Sequence, residues 1–253
     1  MAEMKYNTVI FDLGFTLFTF ENFTLKRYFA TLNKGLDQLT SFLMKKNIMI
    51  DSILFKKKFK KFRNRNLQLS LMNYKESTTL DTLNQTFESL NLPKLNPKEA
   101  HEAIMVYHST EGKFWKLRPF SKPLLEQLQT QKFKIGLLSN APYHEGIKFL
   151  LDSTDLTQYF NVIATSAQIG YCKPDKRTFE YILNKIQSNP QQSIMIGDDL
   201  KNDIYGAKRL GMRAIRVKRD FAITPNEDVN VVPDEEISDL EEVLPIIHKW
   251  NDR

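Results

Sequence analysis

The spacing of apolar positions changes character along the chain. Val9-Ile10-Phe11 is a continuous apolar run of β-prone residues that ends on Asp12, with Gly14 and Thr16 close behind. That is the pattern of a buried strand entering a tight turn. From residue 20 to about 115 the period becomes helical. Leu25, Phe29, Leu32, Leu36, Leu39 and Leu43 alternate four and three apart, which predicts a helix with one apolar seam. Phe55, Phe59 and Phe62 predict a second helix over 52–72, and Leu80, Leu83, Phe87 and Leu90 a third. Asn96-Pro97-Lys98-Glu99 supplies a cap, a first-turn proline and a capping-box glutamate for a fourth, running through Ala100, Ala103, Ile104 and Tyr107.

Near Trp115 the pattern switches to alternating strands and helices. Ser121 is expected to cap a helix through Leu124, Leu125 and Leu128, ahead of a buried strand from Phe133 to Leu138. Helix 145–152 then precedes strand 161–165, helix 176–187 precedes strand 193–196, and helix 202–210 ends at Gly211 before strand 213–217. A short apolar segment, Val229 to Val232, and a helix over 238–249 complete the chain. Alternation of this kind predicts an α/β fold, a doubly wound parallel sheet covered on both faces. The expected division is a core of residues 1–19 and 115–253, with an all-helical cap, 20–114, inserted after the first strand.

Composition changes this picture little. The 253 residues are 42% hydrophobic and 26% charged, enough to bury a sizeable core. No run approaches the ~18 apolar residues needed to cross a bilayer. The N-terminal apolar stretch is broken by Asp12 and does not read as a signal peptide, and the lone Cys172 excludes an internal disulfide. A cytoplasmic protein is expected, as monomer or homodimer, with no membrane partner. The net charge of +6 is local: residues 56–65 (KKKFKKFRNR) carry seven positive charges, and without them the chain stands at −1. That run reads as a solvated helix face. Contact with an anionic partner is its sharper alternative, and no nucleic-acid module accompanies it.

Four strand ends carry the chemistry. The first ends in Asp12, the next in Ser139-Asn140, and a later one in Gly197-Asp198-Asp199 with Asp203 four residues on. Lys173 follows the strand at 161–165. In an open parallel sheet, ligands bind outside such tips. Carboxylates, a hydroxyl and an ammonium group converging there suit Mg²⁺-assisted attack by Asp12 on a phosphoryl group. Lys173, Ser139 and Thr16 would offset the phosphoryl charge.

These residues stand in four motifs: FDLGFTLF at 11–18, LLSN at 137–140, GYCKPD at 170–175 and GDDLKND at 197–203, the last followed by IYGAKRLG. In order and content they resemble the haloacid dehalogenase superfamily of aspartate-nucleophile hydrolases, of the kind with a helical cap after the first motif. The resemblance implies that Asp12 forms an aspartyl-phosphate, that Thr16 and Ser139 hydrogen-bond the phosphoryl group, and that Lys173 balances charge. It implies a Mg²⁺ ion held by Asp12, the backbone carbonyl of Gly14 and Asp198, with Asp203 orienting Lys173 or a metal-bound water. Asn140 is expected at the substrate, which the cap would restrict to a small phosphorylated metabolite.

Gly14 departs from the pattern. Phosphatases of this family usually carry a second aspartate there, which protonates the leaving oxygen and then activates water. Its loss implies slow turnover, a good leaving group or a substitute acid. Two competing readings follow: a non-catalytic relative that binds through its basic cap, and a haloacid dehalogenase. The second sits poorly with Asp198, Asp199 and Asp203, a like-charged cluster that calls for a cation. Among remaining residues, Tyr143 and His144 are candidates to face the substrate, and Cys172 reads as a packed small residue rather than an activated thiol. His101 and His108 are too sparse for a metal site.

Overall fold

The computed structural model describes residues 4–219 and 229–252. In chain order the elements begin with strands β1 (Thr8–Phe11) and β2 (Phe18–Phe20) and helices α1 (Leu25–Lys45), α2 (Ser52–Asn73), α3 (Thr79–Ser89) and α4 (Pro97–Gly112). Then come β3 (Trp115–Leu117), α5 (Ser121–Thr130), β4 (Lys134–Ser139), α6 (His144–Asp152), β5 (Val162–Thr165), α7 (Ser166–Ile169), α8 (Lys176–Ile186) and β6 (Ser193–Gly197). The short α9 (Gly206–Lys208), β7 (Arg213–Val217), β8 (Glu235–Ile237) and α10 (Val243–Asn251) follow.

Six strands form one sheet in the order β5-β4-β1-β6-β7-β8, with every neighbouring pair parallel. Strand alternation explains why both faces are covered. Val9, Phe11, Ile135, Leu137, Ile194 and Ile196 pack one way, with Leu124, Leu125 and Leu128 of α5 and Ile247 and Trp250 of α10. Ile10, Leu138, Met195 and Ala214 point the other way, onto Phe179, Ile182 and Leu183 of α8 and Ala207 of α9. β1 is central and buried at all four positions, so the residue at its tip lies in the middle of the sheet edge.

Helices α1–α4 are the expected insertion, packed around Leu32, Leu36, Leu39, Leu43, Phe55, Phe59, Leu83, Phe87 and Tyr107. The seam on α1 differs from the expected one at its start. Leu25 and Phe29 are exposed; the half-buried Tyr28 packs against Phe20 and Phe23, and the buried stripe begins at Leu32. The lysines of the 56–65 run lie on α2 while Phe55 and Phe59 fill the core beneath. Lys57, Lys61 and Arg65 of that run are exposed, and Lys56, Lys58, Lys60 and Arg63 are half-buried.

Three local expectations are corrected. The ends of the insertion are not helical: β2 and β3 pair antiparallel, Phe18 opposite Leu117 and Phe20 opposite Trp115, too short a ribbon to show a period. Ser121 does not cap α5. Phe120 holds that position in the left-handed region, and the Ser121 hydroxyl instead donates to the Leu17 carbonyl at 2.8 Å. The helix expected at 202–210 is a π-helical turn, Leu200–Tyr205, leading into α9. The last strand, Glu235–Ile237, follows the apolar Val229–Val232 segment; Asp234 accepts from Ala214 N and pairs with Lys208 and Arg213, which fixes the residues after it beside β7.

Candidate active site

Asp12 follows β1 directly, and its amide donates to Ile196 on the neighbouring strand at 2.9 Å. The chain then turns back on itself: the Leu13 carbonyl accepts from Leu17 at 2.9 Å and Phe18 at 3.0 Å, with Phe15 in the left-handed region. Gly14 sits inside this turn. A Cβ built on it would stand 3.1 Å from Cη2 of Trp115, so a side chain there would press on the indole by a few tenths of an ångström.

Lys173 is the hub. Its ammonium, 2% exposed, donates to Asp12 Oδ1, Asp203 Oδ1 and the Leu138 carbonyl, each at 2.7 Å. Three donors meet three acceptors, so the group is satisfied and fixed. Burial alone would lower its pKa; Asp12 and Asp203 outweigh burial and hold it above the usual lysine range. Asn140 holds the Lys173 backbone from both sides, accepting from its amide at 2.7 Å and donating to its carbonyl at 3.0 Å. Both polar ends of the Asn140 amide are thus engaged within the protein. Ser139 is buried at the tip of β4, and the Thr16 hydroxyl, fully buried, makes a long 3.4 Å contact to Asp198 Oδ1.

The acidic end follows β6. Gly197 lets Asp203 rise beneath the strand tip, since a Cβ on Gly197 would overlap the Asp203 carboxylate at 2.3 Å. Asp203 accepts from Lys173 on one oxygen and from the Asp199 amide on the other, at 3.1 Å. Asp198 is ion-paired with Arg219, which also reaches Asp199 at 3.4 Å. Arg219 was not singled out in the sequence; its only signal is its place two residues beyond β7.

Asp12, Asp198 and Asp203 are all buried, and one oxygen from each lies within 4.8 Å of the others. Burial pushes the Asp198 carboxyl well above the usual carboxylate range, and Asp12 and Asp203 add to the rise. Burial lifts Asp203 to about 7 against the pull of Lys173. Three carboxylates (Asp12, Asp198, Asp203) converge and face Lys173 and Arg219, a formal surplus of one negative charge where the oxygens meet. A hard divalent cation fits that donor set.

A second polar cluster joins the helical insertion to this site. Glu111 of α4 accepts from Trp115 Nε1 at 3.3 Å and Tyr28 OH at 3.0 Å, and lies 3.3 Å from His108 Nδ1. Its neighbours' hydrogen bonds hold its carboxyl low despite burial. His108 stacks on Tyr143, whose hydroxyl meets His101 Nδ1 at 3.2 Å. Tyr143 is therefore a contact between core and insertion, and His144 Nδ1 is engaged by Thr165 at 3.0 Å. Burial pushes the Cys172 thiol up, and Glu76 adds to that rise, as suits a packed residue.

A doubly wound sheet with a helical insertion after β1, and this strand-edge set of Asp12, Lys173, Asp198 and Asp203, define an α/β fold with a site centred on Asp12. The sequence profile of the haloacid dehalogenase-like hydrolases matches residues 9–217, and the chain belongs to that family. A glyceraldehyde 3-phosphate phosphatase of Methanothermobacter thermautotrophicus is 32% identical over 150 residues; the match covers 56% of this chain and 64% of that relative, less than two thirds of its length. Pyrimidine 5'-nucleotidase YjjG of Escherichia coli is 26% identical over 253 residues, 97% of this chain and all of that one. A 2-haloacid dehalogenase from Pseudomonas syringae shares the fold at a TM-score of 0.67 and 20% identity, across 97% of this chain and 99% of its own.

Proposed function

We propose that the protein is a Mg²⁺-dependent phosphohydrolase of small phosphorylated metabolites that works through an aspartyl-phosphate on Asp12. The observation that carries this reading is the Lys173 ammonium set between Asp12 and Asp203, with Asp198 beside them. The Lys173 ammonium holds the nucleophile in place, and the clustered carboxylates suit a divalent ion. Asp12 and Asp198, with the Gly14 carbonyl, would hold Mg²⁺, and Asp203 stands behind them fixing Lys173. When bound, the ion offsets phosphoryl charge and orients the phosphate.

An Asp12 carboxylate oxygen attacks phosphorus, the bond from phosphorus to the leaving oxygen breaks, and that oxygen departs with the electron pair. Thr16, Ser139 and Lys173 receive the phosphoryl oxygens. Asn140 acts by positioning Lys173. Water then attacks phosphorus, and the Asp12–phosphorus bond breaks to release inorganic phosphate. Gly14 supplies no proton in the first step and no base in the second, and Trp115 occupies the space where a side chain at position 14 would project. We therefore read a preference for leaving groups that depart unprotonated.

The phosphatase relatives support phosphoryl chemistry over dehalogenation, as do the clustered aspartates. The core is taken as 1–19 and 115–253 and the cap as 20–114. None of the described helices is long and apolar enough to cross a membrane, and a cytoplasmic site fits the lone cysteine. Binding through the basic face of α2 is the second reading, favoured by exposed Lys57, Lys61 and Arg65 together with Gly14. Hydrolysis of an aryl phosphate by purified protein, with Mg²⁺ or with chelator, alongside Asp12→Asn, tests the choice. Hydrolysis that needs both Mg²⁺ and Asp12 is expected. Activity surviving both losses contradicts the mechanism, and salt-sensitive polyanion binding without hydrolysis favours the second reading.

A further inference from the structure

The segment joining α2 to α3 lies across two loops of the core. Cys172 N donates to the Tyr74 carbonyl at 2.7 Å, Lys75 bridges antiparallel to Tyr171, and Glu76 N donates to the Gly170 carbonyl at 3.0 Å. Thr79 N reaches the Pro142 carbonyl at 3.0 Å. At the centre is the Glu76 side chain. One oxygen accepts from Ser77 N at 2.8 Å; the other accepts from the Ser166 hydroxyl and, at 3.4 Å, from the Cys172 thiol.

Ser166 and Cys172 are not ordinary surface partners. The Ser166 hydroxyl also accepts from Ala141 N at 2.9 Å and lies 3.2 Å from the Ala141 carbonyl, two residues beyond Ser139. Cys172 precedes Lys173. One carboxylate of the insertion is therefore linked, through one side chain each, to the loop that carries Ser139 and Asn140 and to the loop that carries Lys173. No lysine or arginine pairs with Glu76 among the described residues, and burial raises its carboxyl pKa above the usual range. A half-buried carboxylate without a cation beside it costs stability that an apolar contact would not. Mere packing of the cap on the core gives no reason for that cost.

We infer that Glu76 is the latch between cap and core, a positioning residue that holds the Ser139 and Lys173 loops in register when the cap is down. The inference rests on the phosphohydrolase reading for its kinetic consequence, and on geometry alone for the latch. Releasing Glu76 lets the 74–79 segment lift and the two loops drift apart. The phosphate contacts remain while their alignment with Asp12 loosens, so kcat suffers and KM hardly moves.

Cys172 gives a direct readout, because it is the chain's only cysteine and lies beneath Glu76. The experiment measures the rate at which a thiol reagent labels the full chain, together with kcat and KM on an aryl phosphate. Glu76→Ala is expected to label about tenfold faster or more and to lose kcat by about tenfold or more, with KM within about threefold. Glu76→Gln keeps hydrogen-bonding capacity without the charge and is expected to label slowly and recover most of kcat. Ser166→Ala leaves the charge beside Cys172 and removes one arm of the latch; it is expected to label fast too, and it carries the test if Glu76→Ala fails to fold. Wild-type labelling in Glu76→Ala or in Ser166→Ala, or Glu76→Gln labelling as fast as Glu76→Ala, would overturn the latch. Slow labelling in wild type and fast labelling in both alanine variants, with no hydrolysis of any phosphate by wild type, would defeat the phosphohydrolase reading and leave the latch standing.

Discussion

Trp115 stands against Gly14, with Cη2 of the indole 3.1 Å from the place a β-carbon would take. The two residues are a compensating pair at the start and end of the helical insertion, brought together by the β2–β3 ribbon. Adding an aspartate at 14 therefore pushes on an indole that is itself tied to Glu111. Gly14→Asp alone is expected to give little gain on an alkyl phosphate. Gly14→Asp with Trp115→Phe is expected to exceed Trp115→Phe alone by about 10²-fold in kcat/KM, the low end of general acid–base catalysis. A full gain from Gly14→Asp alone would show that the indole does not block the position.

Lys173 neutralises two buried carboxylates at once. Lys173→Met leaves Asp12 and Asp203 facing each other without a cation. The expected cost is about 3–5 kcal/mol of stability at neutral pH, read from denaturant midpoints. A fall in kcat of about 10²–10³-fold should accompany it. A variant as stable as wild type would mean the three side chains are not coupled as their distances indicate.

Arrangement of the strand edge was largely legible in the chain. Asp12, Ser139 and Asp198 stand at the ends of apolar runs of strand length, and β1 lies between β4 and β6, so their convergence followed from a parallel sheet; Lys173 comes later, in the loop after α7. What escaped were contacts with no local signature. Arg219 reaches Asp198 from beyond the neighbouring strand, and Trp115 meets Gly14 across about a hundred residues of insertion. Glu76 is one of many glutamates until Ser166 and Cys172 surround it. The ribbon and the π-turn failed for another reason: three-residue strands and a turn widened at its Asp199 cap leave no period to read.

Mg²⁺ should stabilise the fold, since it relieves repulsion among Asp12, Asp198 and Asp203. At a hundredfold excess over its dissociation constant the gain is about 2.7 kcal/mol, or about 5–10 °C in Tm for a chain of this size. Thermal melts with Mg²⁺ and with chelator read the difference. Asp198→Asn is expected to abolish the shift, and a shift of undiminished size in that variant would place the ion elsewhere.

Glu76 predicts a pH dependence of its own. Burial raises its carboxyl pKa in the folded state, with hydrogen bonds from Ser166, Cys172 and Ser77 opposing. The stability this carboxyl contributes is fully present below the unfolded value of about 4.3 and is lost as pH rises through the folded value. Glu76→Gln removes that titration. The variant's Tm should match wild type near pH 4 and exceed it increasingly toward about pH 8. A difference that is flat with pH, or that grows toward acid, would contradict a raised Glu76 carboxyl held without a cation beside it.

The covalent step on Asp12 is the centre of the account. Protein mixed with Mg²⁺ and an aryl phosphate, quenched in acid and digested, is examined by mass spectrometry for a phosphoryl group on the peptide that carries FDLGFTLF. Because Gly14 offers no base for the second attack, the adduct is expected to accumulate on Asp12 in wild type and to vanish with chelator and in Asp12→Asn. Rapid turnover with no adduct on that peptide, or an adduct that persists in Asp12→Asn, would contradict it.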